Sequence, residues 1–266
     1  MRNFYKPARM SWKLTQGSII NNCVASKYNG TNVWGLIVTP RCDLAHEGKV
    51  SEVHYLPIVN FADFFKVDGR DYLYRKWHEA ISRKFFVECD KYKFPSDLDK
   101  RIYYETMCKN KIADKGARKA FLDKMNKYFD CFKENKEFNE TVCTDKKKED
   151  LVDNLIDDRL PSFYLIEDWN PGGRNSKVIL LRDLKRIAYT TAKNLEIGMA
   201  RQYILDTDDM NKDGGDDLCQ VCAEVKSPFV EHIIQRFSQN FCRIGVDDRD
   251  TKNEKLNLLN LFQSLT

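Results

Sequence analysis

Residues 39–49 contain the highest density of side chains that could carry out chemistry. The segment reads Thr-Pro-Arg-Cys-Asp-Leu-Ala-His-Glu-Gly-Lys and follows an apolar, β-branched run. A metal-dependent nuclease would use Asp43 and Glu47 to bind a divalent cation and Lys49 to stabilise the charged transition state. Only three residues separate the two acids, whereas nucleases with a Glu-x-Lys motif need it well separated from their first Asp. We therefore expect a strand-ending corner in which Asp43 caps backbone N–H groups, with a partner- or ligand-binding site as the alternative.

The same segment offers two further kinds of site. Cys42 with His46 or His54 could form a nucleophile and base pair, although a Cys after a buried strand is more often a small core residue. A binding surface on this segment would use the side chains of Arg41, Asp43, His46, Glu47 and Lys49. A second basic group could meet phosphates or an acidic partner. It consists of Arg174, Lys177, Arg182, Lys185 and Arg186, and a solvated strand edge is the alternative.

Cysteine spacing gives a weaker indication of a metal site. Cys219 and Cys222 have the spacing of half a zinc site. A second half is missing, because His232 and Cys242 lie ten positions apart on one predicted helix, about 15 Å by helical rise. Only a distant thiol such as Cys23 could complete the site. We therefore expect two packed thiols, no metal and no cofactor.

Composition and charge set limits on the class of protein. The chain has 266 residues, 42% of them hydrophobic, which is enough for a substantial core. Its 44 basic and 40 acidic side chains leave a net charge of only +4, which argues against broad non-specific binding of nucleic acid. The nine Cys are an odd number and are scattered, as is typical of reduced thiols. Without a secretory signal or a long apolar run, we expect a cytoplasmic protein with no membrane span.

The period of the apolar residues divides the chain into strands and helices. Apolar runs that are continuous or alternating predict strands. These begin near Gly17, Val33, Val50, Ser162 and Lys177. In the intervening and following parts of the chain, apolar residues recur every three or four positions, which is typical of helices. We therefore predict an α+β fold in which a five-stranded β unit is interrupted by a long helical insertion and followed by a helical C-terminal region.

The predicted strands resemble, in order, those of the small SH3-type barrel of the PemK/MazF family. Gly17-Ser-Ile-Ile20 resembles the Gly-Asp-Ile-Val strand that opens the family barrel, and Leu36-Ile-Val-Thr-Pro40 resembles its Leu-Val-Val-Ser-Pro strand. Tyr55-Leu-Pro-Ile-Val59 is similar to its Val-Val-Pro-Ile-Thr strand, and 178–187 to its late strand. The resemblance implies an SH3-like barrel core at 1–61 and 162–190. The helical insertion then spans 62–161, and the helical C-terminal region spans 191–266.

The resemblance also implies a possible activity. Ribonucleases of the family use a basic residue in the first hairpin loop and a Thr or Ser at the end of the Pro-Ile-Thr strand. Here the loop offers Lys27 in place of an Arg, and the strand ends in Val59-Asn60. Inherited catalysis is therefore not assured, since a shared fold does not carry activity with it. The candidate catalytic residues are Lys27, Thr39, Arg41 and Asp43.

A second resemblance concerns the biological setting. The Cys42-Asp43-Leu44 corner and the predicted helix after Ser227-Pro228 are similar to features of bacterial proteins from anti-phage and conflict loci. With a nearly neutral charge and no cofactor motif, this favours a non-catalytic, partner-binding component of a bacterial defence or toxin–antitoxin-like system. Its partner would be another protein of that system or a second copy of the chain, with RNA or DNA as an alternative. An endoribonuclease of the PemK/MazF kind and a metal-dependent nuclease are the alternative functions.

Overall fold

The chain is α+β, with one curled antiparallel sheet that forms a half-barrel and several helices around it. The computed structural model describes residues 4–6, 13–46, 48–96, 98, 100–133, 143–169, 175–210 and 218–242. Its strands are β1 (Tyr5–Lys6), β2 (Ser18–Ile20), β3 (Val33–Ile37), β4 (Glu52–Asn60), β5 (Phe163–Ile166), β6 (Lys177–Leu180), β7 (Lys185–Ala188), β8 (Met199–Ala200), β9 (Leu218–Cys219) and β10 (Val221–Val225). Its α-helices are α1 (Arg41–Ala45), α2 (Phe61–Phe64), α3 (Arg70–Lys91), α4 (Arg101–Lys111), α5 (Lys115–Lys133), α6 (Asp145–Ile156), α7 (Tyr189–Asn194) and α8 (Phe229–Cys242). A π-helix, Phe65–Gly69, joins α2 to α3, and a short 3₁₀ turn covers Arg201–Tyr203.

The long strand β4 is the centre of the sheet, whose order is β1-β10-β2-β3-β4-β6-β5. One edge of β4 pairs with the whole of β3. The other edge pairs with two strands, β7 at residues 52–55 and β6 at residues 58–60. Pro57, which has no N–H to donate to a ladder, falls in the gap between those two pairings. Residues 181–184 connect β6 to β7 beside this gap. They leave the sheet and form a corner between the two strands.

The side chains of the sheet alternate between two apolar layers, as the period of a strand requires. The first layer includes Val33, Tyr55, Val59, Val178 and Leu180, and is covered by Leu73 of α3 and by Leu151 and Leu155 of α6. The second layer includes Leu36, Leu56, Ile58, Ile179 and Val225, and is covered by Val230 and Ile233 of α8. Both faces of the sheet are thus buried, which explains why its strands read as nearly continuous apolar runs.

The helical insertion between β4 and β5 has a core of its own. Side chains of α3, α4 and α5 form a buried cluster separate from the sheet. It contains Phe85, Cys89, Phe94, Tyr104, Cys108, Ile112, Phe121 and Met125. In contrast, α6 and the first turn of α3 pack on the sheet. The predicted insertion is therefore divided between two cores.

The C-terminal region differs from the helical region that the sequence predicts. Besides α7 and α8, it contains β8 and β9, which pair with each other, and β10, which pairs with both β1 and β2. Val221, Ala223 and Val225 alternate with polar or small residues and lie on buried positions of β10. The edge of β2 needs a partner, and this alternating segment supplies it.

The described helices include none that is both long enough and apolar enough to cross a membrane.

Replacing Gly35 with Ala tests how closely β3 packs against β4. A Cβ atom at Gly35 would lie 2.6 Å from Cδ2 of Tyr55 and 2.7 Å from Sγ of Cys23. Since overpacking a core costs about 1–3 kcal/mol, we expect Gly35→Ala to lower the free energy of unfolding by about that amount in urea titration. The matched control is Gly116→Ala on the exposed first turn of α5, where Ala is the better helix former. Its new Cβ would lie 3.3 Å from Oδ1 of the exposed Asp114, and we expect a change below about 0.5 kcal/mol. Equal stability of the Gly35→Ala variant would contradict the packing.

Candidate functional site

The structure contains an open cleft of about 470 Å³ at one end of the first apolar layer. Four parts of the chain form it: the β2–β3 connection, the π-helix with the start of α3, the start of β5, and the corner between β6 and β7. Its lining consists of Ser26, Lys27, Tyr28, Asp68, Asp71, Tyr72, Arg75, Ser162, Phe163, Leu180, Arg182 and Asp183. An apolar floor with a polar and charged rim is the usual composition of a ligand site.

One wall of the cleft is a clamp between the β2–β3 connection and the β6–β7 corner. The carboxylate of Asp183 accepts hydrogen bonds from the backbone N–H of Ser26 (2.8 Å) and from its hydroxyl (2.7 Å). Lys185 donates to the same hydroxyl at 2.8 Å and lies 3.2 Å from the carboxylate of Asp183. The β6–β7 corner therefore holds the β2–β3 connection, which carries Lys27, in place.

The opposite wall depends on the π-helix. Its wider turn presents Asp68 to the cleft, where the carboxylate accepts hydrogen bonds from the hydroxyl of Tyr28 (2.7 Å) and the ammonium of Lys27 (3.1 Å). Asp71 lies 3.5 Å from the same ammonium. Single π turns occur frequently at functional sites. The hydrogen bond with Asp68 raises the pKa of Lys27, and burial together with that carboxylate raises the pKa of Tyr28. Both groups therefore stay protonated as donors.

Two guanidinium groups on the cleft are not neutralised in this way. Arg75 lies with its guanidinium carbon 5.7 Å from the ring centroid of Tyr72, and Arg182 donates to the amide oxygen of Asn240 at 3.4 Å. Glu79, one turn beyond Arg75, pairs with Lys76 at 2.9 Å. Among the described residues, neither Arg75 nor Arg182 has a carboxylate oxygen within the 4.0 Å of an ion pair. The cleft thus has two cationic groups available to a ligand.

None of the described residues of the 39–49 corner lines this cleft. The hydroxyl of Thr39, a buried residue, accepts a hydrogen bond from the backbone N–H of His54 at 2.7 Å. The carboxylate of Asp43 lies 2.5 Å from the ammonium of Lys49, whose hydrogen bond lowers the pKa of that acid. The exposed Arg41 approaches Glu231 at 3.9 Å. Thr39 and Asp43, the two candidate catalytic residues with hydrogen bonds in this corner, are therefore held within the fold.

The other predicted site residues are separated from one another. Arg186 pairs with Glu52 at 2.7 Å on the exposed edge between β7 and β4. Among the described residues of the second basic group, Arg182 alone lines the cleft. His46 is exposed on the corner. Glu47 and Arg174 lie outside the described residues.

The predicted thiol sites are also separated. Cys42 is exposed and lies 3.5 Å from the carboxylate of Asp43. Cys219 is buried in the first apolar layer, whereas Cys222 packs against the second. The sheet itself therefore separates these two sulfurs. Within the described part of the chain, no group of three or more His, Cys, Asp or Glu side chains could hold a metal ion.

Sequence reasoning missed most of the cleft, since Lys27, Arg75 and Arg182 are far apart in the chain. The hairpin loop and the basic group identified Lys27 and Arg182 separately, but nothing placed them together. Arg75 follows an ordinary helical pattern on α3. The Phe-Lys-Val-Asp-Gly segment that forms the π-helix has no motif that distinguishes it from an α-helix.

Comparison of the chain with family models, with curated proteins and with solved structures found no match.

Removing the hydroxyl of Thr39 tests whether the corner is structural. Thr39→Val leaves the backbone N–H of His54 without its acceptor, and an unsatisfied group of this kind costs about 1–3 kcal/mol. We expect that loss in the free energy of unfolding, measured by urea titration. Thr39→Ser keeps the hydroxyl and should recover most of the stability. Arg41→Ala, on the exposed side of the same corner, should change stability by less than about 0.5 kcal/mol. If Thr39→Val is as stable as the wild type, the corner does not depend on this bond.

Proposed function

We propose that the protein is a binding component without catalytic activity of its own, and that its cleft binds the phosphate groups of single-stranded nucleic acid. The observation that carries this proposal is the pair Arg75 and Arg182, which line one cleft without carboxylate partners among the described residues. Guanidinium groups bind phosphate oxygens through paired, charge-assisted hydrogen bonds. The hydroxyl of Ser162 on the same lining adds a neutral donor.

The overall charge supports a local site of this kind. A net charge of +4 on 266 residues gives little long-range attraction for a polyanion. Binding would therefore come from a few phosphate contacts in the cleft, and its affinity would fall only moderately as salt rises.

Two of the three acids that line the cleft support a binding role over catalysis. A general base needs a carboxylate that is free to accept a proton from the substrate. Asp68 already accepts hydrogen bonds from Tyr28 and Lys27. Asp183 is held by Ser26 and Lys185. Both acids therefore act as braces for the loop at 26–28.

The proposal extends to the type of the barrel and to the biological role of the protein. We propose that the half-barrel is of the SH3-like PemK/MazF kind, supported by the antiparallel order β2-β3-β4 and by the helical insertion after β4. A role beside a protein partner in a bacterial defence or toxin–antitoxin-like system stays a prediction. A metal-dependent nuclease has little support, because Asp43 is paired with Lys49.

An endoribonuclease of the PemK/MazF kind is the second candidate, and the position of Lys27 favours it. That residue, in the loop where the family has its basic catalytic side chain, lies on the cleft. The Thr or Ser hydroxyl that the family has at the end of its Pro-Ile-Thr strand is missing here. Val59 takes that place, has no hydroxyl and is fully buried in the first apolar layer. Lys27 also already pairs with Asp68 and Asp71.

Alanine substitution of the two arginines tests the binding proposal. A hydrogen bond to a charged group contributes about 1.5 kcal/mol. We therefore expect Arg75→Ala and Arg182→Ala each to weaken binding of a short labelled oligoribonucleotide about tenfold in fluorescence anisotropy. Arg186→Ala is the matched control, because this exposed arginine pairs with Glu52 outside the cleft. Unchanged affinity in both cleft variants, or an equal loss in the control, would refute the assignment of the cleft.

Cleavage assays separate the two candidate functions. We expect the purified chain to leave labelled RNA and DNA intact with magnesium and with EDTA, while it still binds RNA in anisotropy. RNA cleavage in EDTA that Lys27→Ala abolishes would establish the ribonuclease instead. The urea midpoint of Lys27→Ala, compared with that of the wild type, distinguishes a lost activity from a lost fold.

A further inference from the structure

A buried lysine lies on the second apolar layer, on the other side of the sheet from the cleft. Lys177, the first residue of β6, is 2% exposed. Its side chain shares the face of Ile179, which packs in the second layer. A buried ammonium is costly unless charge and hydrogen bonds replace its water, so its surroundings show how this group is held.

The ammonium of Lys177 is enclosed by two indole rings and a carboxylate. It lies 4.4 Å from the ring centroid of Trp169 and 5.2 Å from that of Trp34. Asp168 accepts its hydrogen bond at 2.8 Å, and the carbonyl oxygen of Asn175 accepts another at 3.3 Å. The rings of Trp34 and Trp169 are nearly perpendicular, at 82° with centroids 5.2 Å apart. Their faces therefore bound the cation on two sides.

The surroundings of this group favour positive charge. The rings of Tyr5 and Trp169 meet edge to face at 6.0 Å, and the hydroxyl of Tyr5 donates to the backbone carbonyl of Glu167 at 2.7 Å. Burial, followed by the charges of Glu167 and Asp168, raises the pKa of Tyr5. The negative charge that adds to the effect of burial on Tyr5 also attracts an ammonium group.

We propose that Trp34, Trp169 and Asp168 form a cage for alkylammonium groups, and that Lys177 is the ligand that the chain itself provides. Two indole faces and one carboxylate are the arrangement that recognises ammonium and methylated ammonium ligands. An ordinary surface ion pair of this chain looks different, as at Lys66 and Asp63, which are 3.7 Å apart with the lysine side chain 73% exposed. The cage does not depend on the function proposed for the cleft.

Removal of the internal ligand should open the cage to a free one. Lys177→Ala removes three methylene groups and the ammonium from the side chain. Together these correspond to n-propylammonium. We expect this variant of the full chain to unfold at a lower temperature than the wild type. Added n-propylammonium chloride should raise that midpoint by several degrees in a saturable manner, because a ligand that binds only the folded state stabilises it.

Four controls make the rescue specific. Sodium chloride at the same concentration tests for an effect of ionic strength, and n-propanol tests for an effect of shape without charge. Neither should raise the midpoint. Lys66→Ala should show no response to n-propylammonium, and adding Asp168→Asn to Lys177→Ala should abolish the rescue. A midpoint that n-propylammonium leaves unchanged, or that n-propanol raises equally, overturns the proposal.

Nuclear magnetic resonance of the wild-type chain decides the question if Lys177→Ala does not fold. The ε-methylene next to an ammonium held over two indole faces experiences their ring currents. We expect one lysine ε-methylene signal well upfield of the solvent-exposed lysines. It should be missing from Lys177→Met, in which a side chain of similar volume fills the site. If all lysine ε-methylene signals lie at ordinary positions, Lys177 is not held in the cage.

Discussion

The divided edge of β4 is the constraint on which the cleft depends. A strand with a proline in its middle cannot offer an unbroken ladder on both edges. Here the edge facing β6 and β7 is interrupted at Pro57, and the chain opposite leaves the sheet between those two strands. That departure places Asp183 and Arg182 together at the rim of the first apolar layer. The polar residues of this corner thus lie where the ladder beside Pro57 is interrupted.

Two carboxylates at the rim of the cleft hold the loop at 26–28, whereas in our proposal the two arginines face a ligand. Asp68 and Asp183 hold the β2–β3 connection from two sides, through a phenol, an ammonium, a hydroxyl and a backbone N–H. Held in this way, the β2–β3 connection lies fixed beside the two arginines of the lining. A fixed loop is preorganised, and preorganisation reduces the entropy that a ligand loses on binding.

Local patterns predicted much of the secondary structure, while the site required contacts between distant segments. The apolar run at Val33–Ile37 and the helical spacing of Tyr72, Leu73 and Phe85 have a period that a single segment reveals. The corner at 39–49 looked reactive because its residue types are reactive. In the structure its hydroxyl and its acid satisfy partners within the corner and on β4. Residue type alone does not show whether such a partner exists.

Two features were beyond prediction for a physical reason. The alternation in Val221–Val225 is short, and it becomes a strand because β2 has a free edge. The cage around Lys177 needs Trp34 on β3 and Trp169 after β5 to meet across the sheet. Both results depend on the register of the strands, which is set by the whole sheet.

Helix α3 belongs to two cores. It has 22 residues, a length of about 33 Å. Its first turns place Tyr72 and Arg75 at the cleft, and its last turns bury Phe85 and Cys89 among α4 and α5. Most of the stability of a helix in a protein comes from packing of its apolar face. Local unfolding of the helical core would therefore fray α3 toward the cleft and withdraw support from one arginine, while the sheet stayed intact. The helical insertion thus supports one wall of the cleft.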